Sequence, residues 1–593
     1  MIKELSELGK KLREQSSGEK IVHDALKDEP ISIDLIINKD GSFYKFESIE
    51  RIFRPAEAIT AKKGKARLLL DKAEEVLGYA GNGKKHDLYM NKLQKYSHLD
   101  MLKPVFDFYG TNKANGIVKA LSEFEVQVDE KERTGNIAFR IRNDDSRIHE
   151  KQEIYRAIIS MYDQQKKEKL ILESGRCSVC GRNEHPVEDV PHGMIKRVPD
   201  GQTSGCALVS YNDTAYESYD LVGNINSQIC TGCARTYVEG MNWLLNNGHV
   251  QVIQNKNGKE KEVFKYSNRK NFGSDTAMVY WTRDNQKIAE LDLFDNPDPG
   301  LVEHLIESVV SGENKKSKYI VPDRFYSCTL SGAAARIAVR DWIEMSLGDL
   351  KKAIARWFED IKIEAWGEAY YTPLFRLANC AQNEKSDNKT TTSRVATHLW
   401  KSSLKEIMPP LWILTSVLKR VRIIENNEDG ANKESITPDR AALIRLILNR
   451  NNKGGSMLKE KLDADNCSPP YICGRIFAVL ESVQRAALGK DINAGIRERF
   501  FTFASTNPSS AFGRLMRLSQ NHLAKLKNEK AGLAIILDRE LQELFSKIKE
   551  FPAVFALEEQ GQFAIGYYHQ KQDTWKKAKN SAELKAATEE SDK

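Results

Sequence analysis

The chain has no uninterrupted apolar run near the roughly 18 residues that a membrane-crossing helix requires. Its first residues, MIKELSELGKKLREQ, alternate charged and apolar positions at helical spacing, where a secretory leader would carry an apolar core. The expected location is therefore the cytoplasm, with no membrane partner. Cysteine is scarce, nine in 593 residues, which argues against a disulfide-stapled fold. No G-x-x-x-x-G-K-[ST] loop, G-x-S-x-G elbow or H-E-x-x-H helix occurs, so the usual signatures of an ATP motor, a serine hydrolase and a zinc protease are missing. Charge of one sign is lacking too. With 90 Lys and Arg against 83 Asp and Glu the net charge is only +7, and any nucleic-acid surface has to be local.

Four of the nine cysteines are not scattered. Cys177 and Cys180 in CSVCG, and Cys230 and Cys233 in CTGCA, form two C-x2-C pairs. A two-residue gap lets one tight turn offer two thiolates to one ion, so two such turns complete a tetrahedral zinc shell. Zinc in a structural role is the cofactor this predicts. The stretch between the pairs is longer than in a simple zinc ribbon, so an insertion must leave and re-enter the module. Cys206, Cys328, Cys380, Cys467 and Cys473 show no framework spacing and read as reduced, mostly buried thiols.

The first half reads as mixed α and β. An amphipathic N-terminal helix precedes ISIDLIINKDGSFYKF, which alternates about Asp40-Gly41 as a hairpin with a type I′ turn would. A basic loop follows, with Lys62, Lys63, Lys65 and Arg67 around Gly64. It is either a solvated loop or a phosphate contact. Helical spacing runs from Leu68 to about Ser122, then strand-like VQVDE and IAFRIR, then the helix IYRAIISMYDQQKKEKL. Inside the metal-module insertion, Lys196 and Arg197 precede a loop with Gln202, Thr203 and Ser204 between two glycines, followed by a short apolar strand. Such a loop can present several backbone N–H groups to a phosphate. TYVEGMNWLL is helical, QVIQNKNGKEKEVFKY is a second hairpin turning at Asn257-Gly258, and MVYWT is a buried strand.

Near Ser331 the pattern changes. Ser331 can cap one long helix, GAAARIAVRDWIEMSLGDLKKAIARWFEDI, and only helices are expected beyond it. The fold class is therefore α+β: a mixed lobe over 1–328 with hairpins and a zinc module at 177–233, a helical middle over 329–456, and an all-α bundle over 457–593. Between Arg475 and Lys527 nine basic residues face three acidic ones. Arg475, Arg497 and Arg499 belong to this set. At about 100° per residue, Arg514, Arg517, Asn521 and Lys525 share one face of a helix whose Leu515, Met516, Leu523 and Leu526 point away. That stripe is either a solvated face or a track for a phosphate backbone. A zinc-knuckle HNH-type endonuclease is the enzymatic alternative, with His185, His192, Asn212, Asn224 and Asn226 in the right interval. It lacks the His-His or Asp-His pair that holds a metal-bound phosphate, so no enzymatic activity is expected. A scaffold that binds only the RNA or protein of a larger assembly is the third reading.

Several blocks together resemble one family: LLLDKAEEVLGY, GQTSGCALVSYNDTAYESY, MVYWT, FYSCTLSGAAARIAVRDW with WFEDI, YICGRIFAVLESVQ, INAGIRERFFTFASTNPSSAFGRLMRL and HLAKL. In this order they resemble the Csd-type large subunit of type I-C CRISPR surveillance complexes (Cascade). Many members have Pro-Asn where this chain has Gly332-Ala333, and many lack the second C-x2-C pair. The resemblance implies a non-catalytic, RNA-guided antiviral subunit whose partners are CRISPR RNA, target double-stranded DNA, the displaced strand, the backbone subunits and a helicase-nuclease. It implies recognition of the protospacer-adjacent motif and support of R-loop formation, with Arg514, Arg517 and Lys525 on a phosphate backbone. It also implies a small subunit made from an internal start: Lys453-Gly454-Gly455-Ser456 can encode a ribosome-binding sequence ahead of Met457. The alternative there is a Gly-Gly loop with any codons.

Overall fold

A computed structural model of the chain describes residues 1–16, 23, 25–59, 66–81, 83–172, 175–184, 192–211, 213–254, 260–284, 288–311, 323–382, 390–423, 425–426, 432–433, 435–452, 457–489 and 495–591. It comprises two units, Met1–Arg197 with Thr203–Asn246, and Val198–Gln202 with Asn247–Lys593. The boundary placed at residue 328 falls inside the strand Arg324–Ala333.

In the first unit the apolar alternation of residues 31–37 and 43–46 produces long paired strands, Leu26–Ile37 and Phe43–Glu57. The turn is not type I′. Asn38 N–H donates to Ser42 O (2.9 Å) and Gly41 N–H to Asn38 O (3.0 Å), and Gly41 alone is left-handed at φ 81°. This is a type I turn closed by a left-handed glycine, which also suits the strand twist. Asn136–Ile141 adds in parallel to the first strand, and Leu70–Lys72 adds antiparallel beyond it. Ile33, Leu35, Ile37, Phe43, Phe46, Ile137 and Phe139 bury one face with helical residues such as Val105, Phe108, Phe124 and Ile158. On the other face Asp34 is sealed from solvent in a two-bond pair with Arg147 (2.6 and 3.1 Å). VQVDE is not a strand. Val126 and Gln127 end the helix Lys119–Gln127, because Ala120 and Phe124 recur at helical spacing into the core and override local β preference.

Two helices of this unit, Ile2–Ser16 and Thr231–Asn246, cross at reciprocal glycines. A Cβ at Gly9 would lie 2.0 Å from Thr236 O, and one at Gly240 would lie 2.6 Å from Leu5 O. Only glycine permits that approach. Ser6 Oγ and Thr236 Oγ1 share a hydrogen bond of 2.7 Å across it, and Arg13 grips Glu239 through two bonds of 2.6 and 2.7 Å.

The second unit opposes a four-stranded antiparallel sheet to helices. Its order is Arg336–Ser346, Arg324–Ala333, Ala277–Thr282, Arg269–Asn271. The long helix expected from Ser331 is therefore corrected. Its first half is the strand Arg336–Ser346, and only Leu347–Ile361 is helical, capped by Ser346 Oγ accepting from Asp349 N (3.1 Å). The physical reason is legible afterwards: Ile337, Val339 and Ile343 are β-branched and stiff at χ1, and register against Arg324–Ala333 buries Ile343 in the core. Short strand pairs also occur at Ile363–Ala365 with Glu368–Tyr370 and at Glu425–Asn426 with Asn432–Lys433, so the region after Ser331 is not helical throughout. The second hairpin is present as Gly248–Gln254 with Glu260–Tyr266, its Asn257-Gly258 turn lying outside the described residues.

Beyond residue 457 the described structure is helical, as expected. Pro469–Leu488 is buried nearly all round, and a helix apolar on every side must be wrapped by others. Pro508–Glu529, Ala531–Ser546 and Leu557–Ser591 pack against it. Gly474 and Gly566 make a second reciprocal crossing: a Cβ would meet Phe563 O at 2.0 Å and Tyr471 O at 2.1 Å. Among the described residues no helix is long and apolar enough to cross a membrane.

Candidate metal centre and nucleic-acid surface

The first cysteine pair lies in a knuckle. Strands Gly175–Arg176 and Asn183–Glu184 pair, Cys177 N–H donates to Arg182 O (2.8 Å), and Gly181 N–H to Cys177 O (2.9 Å). Gly181 is left-handed at φ 74°, the conformation that closes this turn at low cost. The second pair is built differently from the expected second knuckle. Cys230 immediately precedes the helix Thr231–Asn246 and Cys233 lies in its first turn, where the Cys233 backbone N–H donates to the Cys230 sulfur. The signal for this was the helical spacing of TYVEGMNWLL beginning directly after the pair.

Ligand atoms of all four cysteines lie within 4.8 Å of one another, and Cys180 Sγ is 3.9 Å from Cys230 Sγ. Four sulfurs at zinc–thiolate distance would be separated by about 3.8 Å along each tetrahedral edge, so the cluster fits a metal ion. Burial disfavours ionisation at Cys177, yet the N–H groups of Cys180, Cys230 and Val179 outweigh it and bring its thiol down to about 7. Cys230 is pushed up by its hydrogen bond to Cys233 and by burial, and Cys180 is raised chiefly by burial. The bare cluster therefore favours the thiolate at Cys177 and the thiol at Cys180 and Cys230. A dication supplies what those thiols need to ionise, and its binding releases protons. Among the remaining cysteines, Cys206, Cys328, Cys380 and Cys473 are buried and Cys467 is exposed, none of them in a disulfide.

The histidine that an HNH-type reading would use points elsewhere. His192 is buried, its Nδ1 shares a 2.7 Å hydrogen bond with Tyr237 Oη, and burial lowers it to about 4. His185 and Asn212 lie outside the described residues, as do Lys62, Lys63 and Lys65 of the basic loop. Arg67, the described end of that loop, is bound to Glu29 (3.0 Å) and lies 3.7 Å from Asp71, so its charge is matched within the fold.

Lys196, Arg197, Thr203 and Ser204 are exposed in the first unit, and Gln202 is exposed in the second. No apolar strand follows them; Ile195 and Cys206 make an isolated bridge. Two of the backbone N–H groups expected to be open are engaged: Gln202 N–H donates to Ala334 O and Gly201 N–H to Val198 O. Arg197 and Asp200 hold left-handed φ values of 59° and 58°. Side chains adopt that conformation at a cost of roughly 1 to 2 kcal/mol, a strain found most often at working loops.

The C-terminal candidates separate into two classes. Arg475 is buried and donates to Gln570 Oε1 (2.9 Å). Arg497 is buried, donates to Val421 O (2.7 Å) and to Ser435 Oγ, and lies 3.5 Å from the Phe501 ring centroid. These two are corrected from nucleic-acid candidates to internal ties, because amphipathic spacing cannot tell an outward arginine from one that snorkels into carbonyls. Arg499, Arg514, Arg517, Asn521 and Lys525 are exposed, while Leu515, Leu523 and Leu526 of the same helix are buried. The expected stripe on Pro508–Glu529 thus faces outward. Lys525 is 3.8 Å from Glu529, both half exposed, a pairing of little strength in water.

The four-cysteine cluster thus lies in the first unit and the outward basic stripe on a helix of the second. The family model of the CRISPR-associated protein Csd1 matches residues 5–575, and the chain belongs to that family. No curated protein matches the chain.

Proposed function

We propose that the chain is the large, non-catalytic subunit of a type I-C Cascade. In this role it reads the protospacer-adjacent motif in duplex DNA, assists opening of the R-loop, holds the displaced strand and supports recruitment of the helicase-nuclease. Family membership over residues 5–575 supports a CRISPR-associated complex, and the observation that carries the DNA-holding role is the stripe Arg514, Arg517, Asn521 and Lys525 on the outer face of one helix. A row of fixed cations follows a phosphate backbone without reading bases, which is what retention of a displaced strand needs. The strained loop from Lys196 to Ser204 is the candidate for motif contact. The four cysteines hold a structural zinc that ties the knuckle to the helix Thr231–Asn246. His192 serves packing, and no bond is broken here.

Replacing Arg514 and Arg517 by Ala tests the role. Target binding should weaken for every sequence alike, and the plot of log K against log salt should become shallower by about 1.5 units. An unchanged slope would remove these residues from the phosphate contact. The internal start at Met457 is tested separately by Met457→Leu, which should abolish a short co-purifying product beginning at that residue; persistence of the product refutes it.

A further inference from the structure

The first unit carries a basic cleft that the reading above does not use. It has a volume of about 690 Å³ and lies between the helix Ile2–Ser16 and the first cysteine knuckle. Lys3, Glu7 and Lys10 line it from the helix, Arg176 and Arg182 from the strands on either side of the knuckle. Helical geometry places Lys3, Ser6, Glu7 and Lys10 on one face, since residues three, four and seven apart are neighbours. The opposite face, with Leu5, Leu8 and Gly9, is buried. Because the Gly9–Gly240 crossing and the Arg13–Glu239 pair clamp this helix to Thr231–Asn246, and Cys230 and Cys233 belong to that second helix and its start, the cations stand at fixed positions around the knuckle.

Their charge is matched only in part: four cations share the cleft with one carboxylate, Glu7, and with Cys177 and Cys180 of the metal cluster, whose four thiolates around a dication would leave two negative charges. Among the described residues Lys3, Lys10 and Arg182 have no carboxylate within ion-pair distance, and Arg176 Nε donates to Gly181 O (3.3 Å), which lays that guanidinium along the turn. Like charges converging from two elements repel one another unless an anion joins them. An extended polyanion suits a cleft with cations on both walls, Lys3 and Lys10 from the helix and Arg176 and Arg182 from the strands beside the knuckle.

We infer that this cleft binds a phosphodiester backbone independently of sequence. The inference rests on the proposed nucleic-acid role and adds a second contact, on the other unit, to the stripe of Pro508–Glu529. The chemistry is shared by RNA and DNA, so the test carries both. The full-length, zinc-loaded chain is titrated with a labelled RNA oligonucleotide and a labelled DNA duplex across a potassium chloride series, as wild type, as Lys3→Glu with Lys10→Glu, as Arg182→Glu, and as Arg514→Ala with Arg517→Ala. Zinc content is measured for each protein. The double helix variant should bind at least one probe tenfold or more weakly, with a slope shallower by about 1.5 units, and Arg182→Glu should act on the same probe; the probe affected identifies the source. Equal binding of wild type and both cleft variants, with the Arg514 and Arg517 variant still impaired, overturns the cleft and leaves the stripe standing. Loss of binding only in step with loss of zinc overturns it as well, because the cations would then serve the thiolates. A wild type that binds neither probe defeats the nucleic-acid reading itself.

Discussion

The two classes of arginine in the C-terminal bundle lead to opposite expectations for changes that look alike in sequence. Arg497→Ala removes a buried guanidinium that donates to Val421 O and Ser435 Oγ and stacks on Phe501. Each charged hydrogen bond contributes about 1.5 to 3 kcal/mol and the desolvated stack about 2 kcal/mol. The desolvation of the guanidinium itself, which lowers its pKa through burial, offsets a large part of that sum. The net loss is then about 3 to 4 kcal/mol, within the range for breaking a buried charged tie. The expected result is a melting transition of the second unit lower by about 5 °C, measured by calorimetry, with the salt slope of nucleic-acid binding in the surviving folded protein unchanged. Arg517→Ala should do the reverse. Its side chain is exposed, so stability stays within about 0.5 kcal/mol and the salt slope falls by about 0.7 to 0.9. If Arg497→Ala melts with the wild type and loses salt dependence, the assignment of inner and outer arginines is wrong.

Removal of the metal should act on the first unit. Chelation or Cys233→Ser should lower its melting transition and leave that of the second unit in place, with one zinc per chain lost by elemental analysis; a metal-free protein with an unaltered first transition refutes the site. Because protonated thiols must lose their protons on loading, zinc affinity should weaken as pH falls, more steeply below about 7 where the metal-free Cys177 also takes up a proton; an affinity independent of pH refutes this. Gly566→Ala places a Cβ 2.1 Å from Tyr471 O and should cost about 2 to 3 kcal/mol by forcing the two helices apart, read as a lower urea midpoint; a neutral effect denies the close crossing. His149 and His192 are held by burial at about 3 and about 4, below an ordinary histidine. Between those values and about 6.5 the unfolded chain binds protons that the folded one does not, so stability falls with pH by up to about 1.4 kcal/mol per unit for each. Asp34 and Asp71, raised by burial, work in the other direction at lower pH. His149→Phe should shift the acid transition downward, and an unmoved transition contradicts the account.

Much of this was readable beforehand, for reasons that differ by element. The cysteine pairs were visible because metal chemistry restricts spacing, and the mixed lobe followed by a bundle was visible because strand alternation and helical spacing are local. The long helix expected from Ser331 failed where Ile337, Ala338, Trp342 and Ile343 satisfied helical spacing by accident while pairing with Arg324–Ala333 decided the matter. Pairing partners far along the chain leave no mark in a short window. Arg445 shows the same limit. Its guanidinium accepts no role from its neighbours in sequence, yet it gathers Glu359 O, Asp360 O and Lys362 O at the end of the helix Leu347–Ile361 and also binds Leu458 O.

The sequence by itself determined the donor atoms, the sign and density of charge along each helix, and the turn residues, because these are properties of side chains and their immediate spacing. Tertiary structure alone decided which cations face water. Arg497 and Arg514 have the same chemistry, but one meets carbonyls and aromatic rings from segments tens of residues away and the other meets solvent. It also brought Lys10 and Arg182 to one cleft, through a crossing that only Gly9 and Gly240 allow.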